Sequence, residues 1–77
     1  MWDVDLDRLP MWVVYDNPSD YPGKTLARLW YSLPVAEATQ VIFIGPLQVI
    51  RAALSSHNYS NIARQPGDDP AIVEVWV

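Results

Sequence analysis

The chain has 77 residues, a net charge of −4 from nine acids and five bases, no Cys, and an apolar fraction of 51% that includes four Trp and four Tyr. This describes one small domain, too apolar for a disordered chain, whose aromatic side chains must supply much of its buried area. It excludes a disulfide framework and Cys-ligated zinc, and one Lys with four scattered Arg gives little phosphate neutralisation for nucleic-acid binding.

Met1 to Pro10, MWDVDLDRLP, alternates briefly: Asp3, Asp5 and Asp7 on one side, Trp2, Val4 and Leu6 on the other. Three Asp and no apolar stretch speak against a secretory signal. Met11-Trp12 echoes Met1-Trp2, so the compact domain is expected over 11–77, with 1–10 as an N-terminal extension. Trp12–Tyr15, WVVY, is short, aromatic and β-branched, which predicts a strand. The loop Asp16–Gly23 follows, marked by two Pro, a Gly and Asx/Ser residues.

Residues 24–33 fit two templates. As a helix, Leu26, Leu29, Trp30 and Leu33 form one stripe; as a strand, Thr25, Ala27, Leu29, Tyr31 and Leu33 form one face. The helix template matches slightly better, but Trp12–Tyr15 needs a strand neighbour, so a strand is predicted. After a connection at Pro34–Ala38, Thr39–Ile44 reads as a strand, and its apolar run Val41–Ile44 suggests burial on both faces. Gly45 as N-cap and Pro46 in the first helical position open a helix. Leu47, Ile50 and Leu54 lie on its inner stripe, while Gln48 and Arg51 face out. Ser55–Asn61 stops the helix, residues 59–64 read as briefly extended, and Gln65–Pro70 is a turn. Ala71–Val77 is the clearest strand, and its apolar end calls for pairing inside the sheet, beside the first strand. The predicted fold is therefore α+β: a small, mostly antiparallel sheet in the order β-β-β-α-β, with one helix packed on a face. The core is expected to set Ile42, Ile44, Leu47, Ile50 and Leu54 against Val13, Leu29 and Val75.

The chemical motifs are weak. Pro18–Thr25, PSDYPGKT, ends like a phosphate-binding loop, but Pro18 stands where glycine is required. Pro18 and Pro22 lack the N–H groups that such a loop aims at phosphate. Asp3, Asp5 and Asp7 begin like a calcium loop, but Arg8 and Val14 occupy the positions of its Gly and its bidentate Glu. His57, the only His, has no convincing nucleophile, third member or oxyanion donor beside it and reads as a surface residue. Asn58-Tyr59-Ser60 matches the glycosylation pattern by chance. No catalytic, cofactor-binding or metal-binding residue is assigned, and no apolar run approaches the ~18–20 residues of a membrane span. Nine aromatic residues exceed what so small a core can hide, and exposed aromatic patches mark protein interfaces. The expected interaction surface comprises Asp16, Asp20, Tyr21, Trp30, Asp68 and Asp69.

From Met11 onward the chain resembles a group of small bacterial and phage proteins. The resemblance rests on Met11-Trp12-Val13-Val14-Tyr15-Asp16 with Pro18 and Asp20-Tyr21-Pro22, and on Pro66-Gly67-Asp68-Asp69-Pro70 with Ile72-Val73-Glu74-Val75-Trp76. These motifs cover about a third of the chain, and the first ten residues depart from them. The group carries no activity to transfer. The resemblance implies a bacterial or phage intracellular protein and favours the strand over residues 25–33. The expected function is a non-catalytic, acidic protein-interaction module without cofactor, cytoplasmic, with a protein partner and no direct nucleic-acid or membrane contact. In a phage or mobile-element setting it would inhibit a host nucleic-acid machine, as an anti-CRISPR or a DNA mimic does. The alternatives are an oligomerising accessory protein, such as a homodimer sealed through Ala71–Val77, and a small enzyme or enzyme subunit.

Overall fold

The computed structural model describes residues 4–63, 67 and 69–77. A 3-10 turn (Leu6–Arg8) leads into β1 (Pro10–Asp16), β2 (Thr25–Tyr31), β3 (Glu37–Ile44), α1 (Leu47–Ser56), β4 (Asn61–Ala63) and β5 (Ile72–Trp76). Every pairing is antiparallel, and the five strands lie in the order β3-β2-β1-β5-β4. The expected α+β fold forms, with β5 inserted beside β1 and β4 as the brief extended stretch after the helix. The strand expected over residues 25–33 forms as Thr25–Tyr31, and each of its residues pairs with β1. Two flanking strands supply the backbone partners that make a strand win over a slightly better helical pattern.

Residues directly opposite in an antiparallel pair share a face. The pairs Trp12–Leu29, Val14–Ala27, Trp12–Trp76 and Ala27–Phe43 therefore lie on one side of the sheet. Against that side α1 sets Leu47, Ile50 and Leu54, the last two fully buried. Tyr59, just past the helix, meets Trp12 edge-on at 6.4 Å between ring centroids. Glu74, on the same side of β5, is buried, and Arg51 Nε donates to its Oε1 at 2.7 Å. Arg51 was expected to face solvent; its side chain is half-exposed but curls back to this carboxylate.

Three expectations about the strand–helix unit need correction. Gly45 ends the strand: its N–H donates to the Thr25 carbonyl at 3.1 Å, and Pro46 is the N-cap. The apolar run in β3 is not buried on both faces, because β3 is an edge strand and leaves Val41 and Ile44 exposed. Nor does the core unite all the residues proposed for it. Ile42, Ile44, Val13 and Val75 lie on the side away from α1, while Leu29 packs under Ile50 and Leu54. A continuous apolar run does not reveal which strand will be central.

Of the stretch read as an extension, Val4–Leu9 lies against the body. Val4 packs on the core, and the Asp5 N–H donates to Tyr31 Oη at 3.0 Å. Asp5 also caps the 3-10 turn, accepting from the Asp7 N–H at 3.1 Å, so the alternation around it is not that of a strand. The Arg8 guanidinium sits 4.5 Å over the Tyr31 ring, donates to the Leu33 carbonyl and pairs with Glu37. Among the described residues, no helix is long and apolar enough to cross a membrane.

Candidate functional site

The side of the sheet away from α1 is assembled by strand alternation and by a bulge in the β1–β5 register that brings Ile72 onto it. β1 contributes Met11, Val13 and Tyr15; β2 contributes Leu26, Arg28 and Trp30; β3 contributes Ile42 and Ile44. β5 adds Ile72 and Val75, and β4 adds Ile62 opposite Val75. No second helix lies over this side among the described residues. A groove of about 370 Å³ runs along it, with Val13, Trp30, Ile62 and Val75 among its lining residues.

Beyond Tyr15 and Trp30, which line the groove, the same side is met by the loop between β1 and β2. Asn17 holds that loop shut: its N–H donates to the Lys24 carbonyl at 2.8 Å, and its Oδ1 accepts from the Gly23 N–H at 2.7 Å. Gly23 has φ +74°, a left-handed conformation that a side chain would strain. Pro18 is buried, and the loop brings it and Asp20 beside Leu26 and Arg28. This geometry also disposes of the phosphate-loop lookalike. The Gly23 N–H is used by Asn17 and the Lys24 N–H by the Tyr21 carbonyl, so neither is aimed at a ligand.

Under the loop lies a cavity of about 120 Å³ bounded by Tyr15, Pro18, Asp20, Leu26, Arg28 and Trp30. Arg28 pairs with Asp20 at 3.0 Å, and Trp30 Nε1 donates to Tyr15 Oη at 3.2 Å. Burial raises the Tyr15 phenol above its ordinary pKa. The hydrogen bond from Trp30 and the Arg28 charge oppose that rise, while Asp69 and Asp20 add to it. The cavity holds a neutral phenol, an indole and a closed ion pair. No nucleophile with an adjacent base lines it.

The six residues expected to form an interaction surface divide. Trp30 and Asp20 stand together at the loop end of the open side, and Asp69 is near enough to act on Tyr15. Asp16 is exposed and accepts from Thr25 Oγ1 at 3.2 Å, while Tyr21 is half-buried in the loop. Asp68 lies outside the described residues. The described acids make no single field. Asp5, Asp7 and Glu37 gather where β1 begins, Asp16, Asp20 and Asp69 where it ends, and Glu74 is buried beneath the helix.

Sequence reasoning missed Met11, Ile62, Ile72 and Val75, which are half-buried or exposed on this side around the buried Val13. The signal was available: β1 and β5 read apolar on both faces, yet the chain offers only one helix to cover them. A second groove, of about 500 Å³, lies on another part of the surface and is bounded by residues including Leu6, Leu9, Ser32, His57 and Tyr59. His57 is half-buried and lines this groove together with Ser32, while Ser55 and Ser56 are not among its lining residues. Among the described residues, no group of three His, Asp or Glu is placed to hold a metal ion. No family model matches the chain, and neither a curated protein nor a solved structure matches it.

Proposed function

We propose that the protein is a non-catalytic protein-interaction module whose contact surface is the open side of the sheet. The observation behind this reading is the apolar groove itself. Trp30, Ile62, Ile72 and Val75 line it around a buried Val13, and no helix of their own chain lies over them among the described residues. Contiguous apolar surface of this kind marks interaction sites, and Tyr and Trp are favoured anchors there. The closed Asp20–Arg28 pair and the Trp30–Tyr15 hydrogen bond fix the end of the groove, so little ordering remains to be done on binding.

In the phage or mobile-element setting that the resemblance implies, such a module acts as an accessory inhibitor that occludes a protein surface of a host nucleic-acid machine. Mimicry of DNA is not part of this reading, because the described acids divide between two ends of the sheet and three of them are paired to Arg. The test is affinity capture from native host cells with the parent chain and with Ile62→Glu. One predominant partner that is lost in the variant supports the reading. Equal capture by both chains overturns it.

A further inference from the structure

Both edges of the sheet are poor templates for adding another strand. In β3 the register against β2 slips between Arg28 and Trp30. Across that irregularity Thr39 Oγ1 donates to the Leu29 carbonyl at 2.8 Å and accepts from the Val41 N–H at 3.1 Å. A bulge of this kind breaks the regular row of free backbone groups that edge pairing needs. At the other edge β4 is three residues long. Association through strand addition is therefore blunted at both edges, which turns attention from the edges to the faces, and the open side of the sheet is the flat apolar one.

That surface is also nearly free of net charge. Arg28 is the one charged side chain among the paired residues that form it, and its partner Asp20 neutralises it at 3.0 Å. The described acids without an Arg partner lie elsewhere, Asp5 and Asp7 where β1 begins and Asp16 and Asp69 where it ends. Among the described residues, a strongly basic or acidic partner would find no unpaired charge to answer in the groove. A second neutral apolar sheet face would meet no repulsion there.

The area fits as well. Five strands about 4.8 Å apart, three to eight residues long and rising about 3.3 Å per residue, span roughly 450 Å² in projection. Two such faces would bury on the order of 1,000 Å² together, at the lower end of what a specific interface needs.

We infer that the occupant of the open face is a second copy of this chain, packed sheet on sheet about a two-fold axis. This rests on the reading of that face as the contact surface. The result is a four-layer particle, helix–sheet–sheet–helix, with the sheets about 10 Å apart and Val13, Trp30, Ile62 and Val75 of each copy in its middle layer. The modest area makes it a reversible dimer.

Sedimentation equilibrium from low micromolar to millimolar protein tests this. The parent chain should fit a monomer–dimer equilibrium that added sodium chloride does not weaken, since no intermolecular ion pair holds it. Ile62→Glu, and Met11→Lys from a different strand, should each weaken dimerisation at least a hundredfold while circular dichroism stays that of the parent. Val49→Glu, at an exposed site on the outer surface of α1, should leave it unchanged. A parent chain that is monomeric throughout overturns the inference, as does equal weakening by all three variants. A monomeric parent whose capture of a cellular partner is still lost in Ile62→Glu removes the dimer and leaves the interaction module standing. A monomeric parent with unchanged capture removes both.

Discussion

Trp12 and Val13 are neighbours in β1 and point to opposite sides of one sheet. Trp12 is enclosed by Leu29, Trp76, Tyr59 and the helix, and none of it reaches solvent. Val13 is also buried, on the side that carries no helix, between its cross-strand partners Arg28 and Val75. The two sides are built from similar residues and differ in what lies over them. One side has spent its apolar surface on folding. The other keeps its surface available, and the contrast teaches that hydrophobicity in so short a chain need not all belong to the core.

If the helix side carries the fold, truncating it should have the largest effect. Leu54→Ala opens a cavity in a fully buried site and is expected to cost about 2–5 kcal/mol. That approaches the whole stability of a small domain, so urea unfolding should lose most of its folded baseline. A shift of the urea midpoint no larger than that of a surface variant would mean that the helix is not the organising partner of the sheet.

The ion pair on the same side comes next. Arg51→Ala leaves Glu74 buried with no counter-charge. Removing one partner of a fully buried pair costs about 3–5 kcal/mol. Because the Arg51 side chain is 52% exposed, solvent screening reduces this to roughly 1–2 kcal/mol. Arg51→Lys should recover part of the loss in urea titrations, and a neutral Arg51→Ala would show that water alone satisfies the carboxylate.

On the open side the same class of change should be nearly silent in the monomer. Ile62 is 42% exposed, whereas Ile50 is fully covered. Ile62→Glu should alter monomer stability by only about 0.5 kcal/mol, as exposed substitutions do, while Ile50→Glu should abolish cooperative unfolding. Comparable losses from the two would erase the distinction between the sides.

The smallest effect concerns Tyr15. Its phenol ionises above the ordinary value of 10.0, chiefly because of burial. As pH rises past that ordinary value the unfolded phenol loses its proton first, so stability is full below it and declines as pH climbs through the raised folded value. Tyr15→Phe should lose less stability than the parent over that alkaline window in pH-dependent urea titrations. Identical alkaline losses would place Tyr15 in an environment no drier than that of an ordinary surface phenol.

Much of the fold was legible in local pattern. WVVY and IVEVW are strands by composition, the loop after β1 declares itself through Pro18, Pro22 and Gly23, and the Leu47–Ile50–Leu54 stripe gives the helix and its inward side. What was not legible depended on neighbours. The run Val41–Ile44 has the same composition whether central or at an edge, and only the strand order shows that it lies at an edge. Asp5 alternates with Val4 and Leu6 as in a strand, yet its carboxylate caps a 3-10 turn. The expected interaction surface was drawn from the acids and aromatics, of which Trp30 and Asp20 stand together at the loop end of the open side. It missed the aliphatic floor beside them, because isolated Val and Ile in a strand read as core. Counting covering elements against apolar faces would have recovered it, since one ten-residue helix can shield only one side of a five-stranded sheet.

The division between the two sides is tested most directly by methyl spectra recorded as the protein is diluted from millimolar to low micromolar concentration. The methyl resonances of Val13, Ile62, Ile72 and Val75 should shift together along one binding curve, while those of Ile50, Leu54 and Val49 stay in place. Shifts confined to the helix side, or no shift at any methyl across the series, would contradict the assignment of the open sheet face as the surface this molecule uses for contact.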